Sequence, residues 1–212
     1  AFSPSGRFAL SASSDKNAIL WNVETGEIVQ TLKGHQSVVY DVAFSPDGQY
    51  ALSGSFDKTM ILWNLSTGEK LRAFEGHSAD VFSVAFSNDG QRALSGSLDG
   101  SVRLWNVNTG EELLLYAGHV GGVWDVAFSP DGSHFASAGI DHRVILWRTA
   151  DRQMLASLDD HKGPVLALAW SPDGKILASA GADRRIVLRD GTTGAPVGPA
   201  LTEHTDTVTG LA

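Results

Sequence analysis

Apolar and polar residues along this chain come in short bursts separated by turn-forming residues. Val39-Tyr40-Asp41-Val42-Ala43-Phe44 is an apolar-rich run that stops at Ser45-Pro46-Asp47-Gly48. Proline ends such a run, and Asp-Gly supplies the positive φ values of a tight hairpin turn. Two more strand-like runs follow, Tyr50 to Ser55 and Thr59 to Asn64, with Phe56-Asp57-Lys58 as the turn between them. Thr67-Gly68-Glu69 turns again, and Lys70 to Phe74 makes a fourth run. Nowhere do apolar residues sustain the period of an amphipathic helix. The pattern predicts an all-β chain of short strands and tight turns.

The unit then repeats. Gly34-His35, Gly76-His77 and Gly118-His119 lie 42 residues apart, His161 keeps that spacing after Asp160, and His204 comes one residue late. Trp21, Trp63, Trp105 and Trp147 obey the same period, and Arg189 stands where the next would fall. The segments from Gly34 and from Gly76 match at more than half their positions. Four short strands and four turns fill a period of this size, which is the arithmetic of a propeller blade.

Gly-His, then VAFSPDG, then LSGSxD, then ILWN, recurring across essentially the whole chain, resemble the WD40-repeat family. The resemblance implies a β-propeller of four-stranded antiparallel blades around a central channel, with about five repeats over residues 1–212. The family's Trp-Asp pair is Trp-Asn at Trp21-Asn22, Trp63-Asn64 and Trp105-Asn106, then Trp147-Arg148 and Arg189-Asp190. These departures predict weaker hydrogen bonding at the blade edges of the last repeats. Ala1-Phe2-Ser3-Pro4 has the phase of Ala43 to Pro46, and Ala212 has that of Ala169. Two architectures fit. In a five-bladed ring, Val208 to Ala212 completes the blade begun at Ala1, and His204 joins Ser11, Asp15 and Trp21. In the other, which is the expectation here, the chain is an arc of a larger propeller. Such an arc exposes open sheet edges, which predict weak stability or self-association of the isolated chain.

Composition narrows the function classes. The 212 residues carry 24 acidic and 16 basic side chains, a net charge of −8, with no basic cluster. That argues against nucleic-acid or anionic-membrane partners. Cys is absent, which removes disulfides, thiolate zinc sites and Cys nucleophiles. No apolar run is long enough for a membrane-spanning helix, and the first residues do not read as a signal peptide, so a cytoplasmic setting is expected.

The repeated polar residues are His35, Ser53, Asp57 and Trp63, then His77, Ser95, Asp99 and Trp105, then His119, Ser137, Asp141 and Trp147. A Ser, a His and an Asp invite a hydrolase reading, but an active site has no need to be copied once per repeat with a Trp at its end. The set reads as a structural hydrogen-bonded network, and the resemblance implies that it pins a loop to its blade. No metal site or cofactor is expected. Only His134 and His142 leave the repeat phase, and no metalloprotease motif surrounds them. Asn64-Leu65-Ser66 fits the glycosylation sequon, too short a pattern to weigh much.

The resemblance places partner contacts at residues flanking the first Val of the inner strand and at the residue before the turn Asp. Here these are Val38, Tyr40 and Phe56, then Asp80, Phe82 and Leu98, then Gly122, Trp124 and Ile140, then Pro164, Leu166 and Ala182. Thr207, Thr209 and Ser14 complete the set. Tyr40, Phe56, Phe82, Leu98, Trp124 and Ile140 put large apolar groups on three successive repeats, as interface hot spots do. Asp41, Asp80 and Asp125 nearby would favour a partner with Lys or Arg. The reading is a non-catalytic scaffold that docks a protein or peptide on this rim. The strong identity between repeats and the Gly-Ala-Pro-Val-Gly-Pro stretch from Gly194 to Pro199 resemble bacterial repeats of this kind, which implies a sensor or regulatory arm of a signalling protein. The alternative is an enzyme with a site at the channel mouth, for which His134, His142 and Arg143 are the nearest candidates.

Overall fold

The computed structural model describes residues 1–212, all strand and turn, in five antiparallel sheets. The first sheet has β1 (Phe8–Ala12), β2 (Asn17–Asn22) and β3 (Ile28–Lys33), and the second β4 (Val39–Phe44), β5 (Tyr50–Ser55), β6 (Met60–Asn64) and β7 (Lys70–Phe74). The third has β8 (Val81–Phe86), β9 (Arg92–Ser97), β10 (Ser101–Asn106) and β11 (Glu112–Ala117). The fourth has β12 (Val123–Phe128), β13 (His134–Gly139), β14 (Val144–Arg148) and β15 (Met154–Leu158), and the fifth β16 (Val165–Trp170), β17 (Ile176–Gly181) and β18 (Ile186–Asp190). By chain segment there are two compact units, one of Ala1–Ser97 with Arg103–Leu113 and one of Leu98–Val102 with Leu114–Ala212.

Sheets two, three and four have four strands, and the other two have three. Ahead of β1, only a Phe2–Ala9 bridge stands where a further strand would lie. Beyond β18, the fourth strand shrinks to isolated bridges, Arg189 with Pro196 and Ile186 with Leu201. Pro196 and Pro199 bring no backbone N–H to a ladder, so a regular strand cannot run through them. Val208 to Ala212, expected as a strand in the ring reading, carries none.

Turn chemistry explains the spacing. Ser45-Pro46-Asp47-Gly48 closes with Gly48 N–H donating to Ser45 O at 2.9 Å, and Gly48 alone takes positive φ (70°). This is a turn followed by a left-handed residue, so only the Gly of Asp-Gly carries the positive φ expected of the pair. The second turn of the repeat is left-handed at Lys16, Lys58, Gly100, His142 and Arg184, the same position five times. Only Gly100 adopts that conformation without a steric penalty. Thr59, expected in the third run, belongs to this turn. Asp57 Oδ1 accepts both its N–H and its hydroxyl, at 3.0 and 2.7 Å, and β6 starts one residue later.

Within each unit the core lies between neighbouring sheets. In the first unit Leu10, Leu20 and Leu32 meet Val39, Val42 and Ile61, while Leu52, Met60, Leu62 and Phe74 meet Val81, Val84 and Trp105. In the second unit Ala136, Val144 and Leu146 meet Val165, Leu168 and Leu177. A β-carbon on Gly54 would lie 2.9 Å from Val84 and 3.0 Å from Val81, so this glycine lets β8 come close to β5.

Candidate functional site

His35 stands at the centre of a four-residue chain. Its Nδ1 lies 2.8 Å from Asp57 Oδ2, its Nε2 lies 2.7 Å from Ser53 Oγ, and the Trp63 indole N–H donates to the same hydroxyl at 2.7 Å. Proton positions follow. A carboxylate only accepts, so Nδ1 carries the proton, Nε2 accepts from Ser53, and the hydroxyl accepts from the indole. Every donor in the line points the same way, from Trp63 to Asp57, an arrangement in which each bond polarises the next. Asp57 Oδ2 also takes the Gln36 N–H at 2.8 Å, which fixes the loop after His35.

The arrangement recurs. His119 joins Asp141 at 2.9 Å and Ser137 at 2.8 Å, Trp147 donates to Ser137 at 2.8 Å, and Val120 N–H donates to Asp141 at 3.0 Å. In the third sheet Ser95 joins His77 and Trp105, each at 2.8 Å, and Asp99 Oδ1 holds the Ser101 amide and hydroxyl. Trp21 donates to Ser11 at 2.8 Å, Asp15 caps the Asn17 amide, and His204 is exposed. One further set was not singled out from sequence, although His161 kept the period. His161 joins Asp183 at 3.0 Å and Ser179 at 2.8 Å. Arg189 replaces the tryptophan there, donating to Gly194 O at 3.2 Å and pairing with Asp160.

Ser53, His35 and Asp57 have the connectivity of a hydrolase triad, but Ser53 is 0% exposed and its oxygen already accepts the indole proton. No substrate can reach it. No three His, Asp or Glu side chains gather as a metal-binding group. His134 bonds the adjacent Ser133, and His142 is an exposed left-handed turn residue beside Arg143.

The network sets a pH dependence. Burial pushes the His35 pKa below its ordinary value, outweighing the Asp57 carboxylate that opposes it. For Asp57 burial acts upward, but the bonds from Thr59, the Gln36 amide and His35 prevail and lower it. Asp141 and Asp183 are lowered in the same way, burial being outweighed by a loop amide and a histidine. A depressed folded-state pKa means that the unfolded chain binds protons first on acidification, so stability falls. Burial raises the Asp41 pKa, and this one group acts in the opposite sense. The chemical-denaturation midpoint should therefore decline below about pH 6.5 and more steeply below about pH 4. A midpoint unchanged from pH 7 to 5 would contradict a neutral His35.

Four of the residues expected to meet a partner sit at bulges. In β4, β8, β12 and β16 the ladder register shifts across Tyr40, Phe82, Trp124 and Leu166, one extra residue each time. A bulge re-aims its side chain out of the pleat. In the first unit, Tyr40 stacks on Phe56 at 5.5 Å, and Phe82 meets Tyr40 and Phe56 edge-on at 5.1 and 5.2 Å. Phe56 N–H donates to Val38 O at 3.0 Å. Tyr40 is 47% exposed, Val38, Phe56 and Asp80 are half-buried, and Phe82 is only 7% exposed. Phe82 is thus a buried support for the other two rings rather than an exposed anchor. In the second unit Leu98 packs over Gly122 and Ile140 over Gly121, and both side chains stay exposed. Trp124 is half-buried, and Ile140 N–H donates to Gly122 O at 2.9 Å.

Two expectations need correction. Asp41 does not offer charge to a partner, because its oxygens accept Val42 N–H and Val84 N–H, each at 2.8 Å. Asp125 likewise accepts Leu168 N–H at 2.7 Å. The last repeat also keeps its turn. Asp190 accepts the Thr192 and Thr193 amides as Asn22, Asn64 and Asn106 accept theirs. Only Arg148 departs, pairing with Asp151 instead.

Comparison with curated proteins finds no match to the chain. The family model WD40, "WD domain, G-beta repeat", matches residues 1–22, 26–64, 68–106, 110–148 and 152–190. Five consecutive matches, four of them spanning a turn-to-turn repeat and the first its latter half, each with its Trp or Arg near the end, show that the chain belongs to the WD40-repeat family.

Proposed function

We propose that the chain is a non-catalytic interaction module that docks a protein or peptide on the surface around Tyr40 and Phe56. WD40 repeats generally mediate protein–protein interaction, and such domains are typically non-catalytic. The observation that carries the site is the three-ring cluster, in which a buried Phe82 braces two rings that water can reach. Aromatic side chains with little freedom left to lose make efficient binding anchors. Leu98, Trp124 and Ile140 hold the matching repeat positions in the second unit. The partner chemistry is an apolar or aromatic side chain beside a Lys or Arg, which Asp80 and the net charge of −8 attract. A sensory or regulatory setting rests on family analogy alone.

A displayed random-peptide library selected on the protein provides the test. Peptides chosen this way should bind the Tyr40→Ala/Phe56→Ala variant at least about tenfold more weakly, the loss typical of removing a hot spot. Trp124→Ala shows whether the second unit contributes. Undiminished binding by a folded double variant would refute the aromatic site.

A further inference from the structure

Tyr40 and Trp124 are both bulge residues, and an aspartate follows each of them directly. A bulge interrupts the ladder, so the β4–β5 hydrogen bonds do not themselves fix the direction of Tyr40. Asp41 supplies what the ladder lacks. One carboxylate oxygen takes the N–H of its own neighbour Val42, and the other takes the N–H of Val84, 43 residues on in β8. Val84 lies two residues past Phe82, the ring that Tyr40 meets at 5.1 Å. The same bond, at the same sequence separation, joins Asp125 to Leu168 in β16. The corresponding positions in β8 and β16 are Ser83 and Ala167, so the aspartate occurs in alternate repeats only.

We propose that Asp41 and Asp125 are positioning residues, side-chain clasps that tie a bulged strand to the next sheet and thereby hold the preceding aromatic ring in its binding orientation. The clasps couple the second sheet to the third and the fourth to the fifth. Serine cannot replace the function, because one hydroxyl oxygen cannot serve two amides that a carboxylate reaches with separate atoms. An asparagine keeps an acceptor for one amide and turns an N–H₂ group toward the other. The consequence for binding rests on the docking reading above, whereas the clasp itself is decided without any partner.

The test is magnetic resonance on the full chain with Asp41→Ala. Val84 N–H exchange should accelerate roughly tenfold or more, the equivalent of one charge-assisted hydrogen bond. The proton contacts between the Tyr40 and Phe82 rings should weaken while the Trp63 indole resonance stays in place, a combination that general loss of stability would not give. Peptides selected on the unmodified protein should bind the variant about tenfold more weakly. If Asp41→Ala does not fold, Asp41→Ser is judged on the same two signals, and Asp125→Ala is judged at Leu168. Unchanged Val84 protection and ring contacts in a folded variant would overturn the clasp. Loss of both signals, with no peptide ever selected on the unmodified protein, would uphold the clasp and defeat the docking reading.

Discussion

Replacing Ser53 by alanine should lower the unfolding free energy by about 3 kcal/mol, a large effect for the removal of one oxygen atom. The hydroxyl is the shared partner of the Trp63 indole N–H and of His35 Nε2, and it is 0% exposed. Its loss leaves a buried donor and a buried acceptor without a bond, each costing about 1–3 kcal/mol, with no route for water to replace it. A urea-denaturation midpoint measures this directly. Ser66→Ala, an exposed turn serine, serves as the reference and should stay within about 0.5 kcal/mol. Placing Trp63→Phe in the Ser53→Ala background removes the orphaned donor, so the two substitutions together should cost less than their separate sum. Additive losses would mean that the indole finds another acceptor.

The second large effect separates two rings that sequence alone treats alike. Phe82→Ala should cost about 3 kcal/mol, in the range for deleting a buried aromatic side chain. Tyr40→Ala should cost about 1 kcal/mol or less, because the residue is 47% exposed and contributes only part of its area to packing. Peptide binding should show the reverse emphasis, with Tyr40→Ala harmful in a fully folded protein. Denaturation midpoints and peptide affinities measured on the same two variants decide it. Equal stability losses would mean that the three rings form an ordinary core cluster, and the docking role of Tyr40 would lose its physical basis.

The repeat made much of this legible in advance. Strands over Val39–Phe44, Tyr50–Ser55 and Lys70–Phe74 follow from apolar runs cut by Pro-Asp-Gly and Thr-Gly-Glu, and the structure has the same bounds. The hydrogen-bonded sets were legible for a different reason. Polar residues that recur at one phase in every copy must satisfy one another or solvent, and period alone reveals them. Three features were hidden. The bulge that aims Tyr40, Phe82 and Trp124 depends on pairing register, and a strand's own sequence does not disclose its partner's register. The clasp of Asp41 reaches an amide in another sheet, so a carboxylate that reads as surface charge is engaged by the backbone. The incomplete fifth sheet turns on Pro196 and Pro199, whose missing N–H groups matter only once a fourth strand is sought there.

The one-way chain from indole to carboxylate has an experimental use. Because Trp63, Ser53, His35 and Asp57 share a single line of hydrogen bonds ending on the Gln36 amide, a disturbance of that loop must be felt at the indole proton. Trp147 reports in the same way on the loop at Val120. These two copies of the repeat thus each carry an intrinsic sensor, with the signal at one end and the loop at the other. Arg189 carries no indole, so the fifth set gives no such signal.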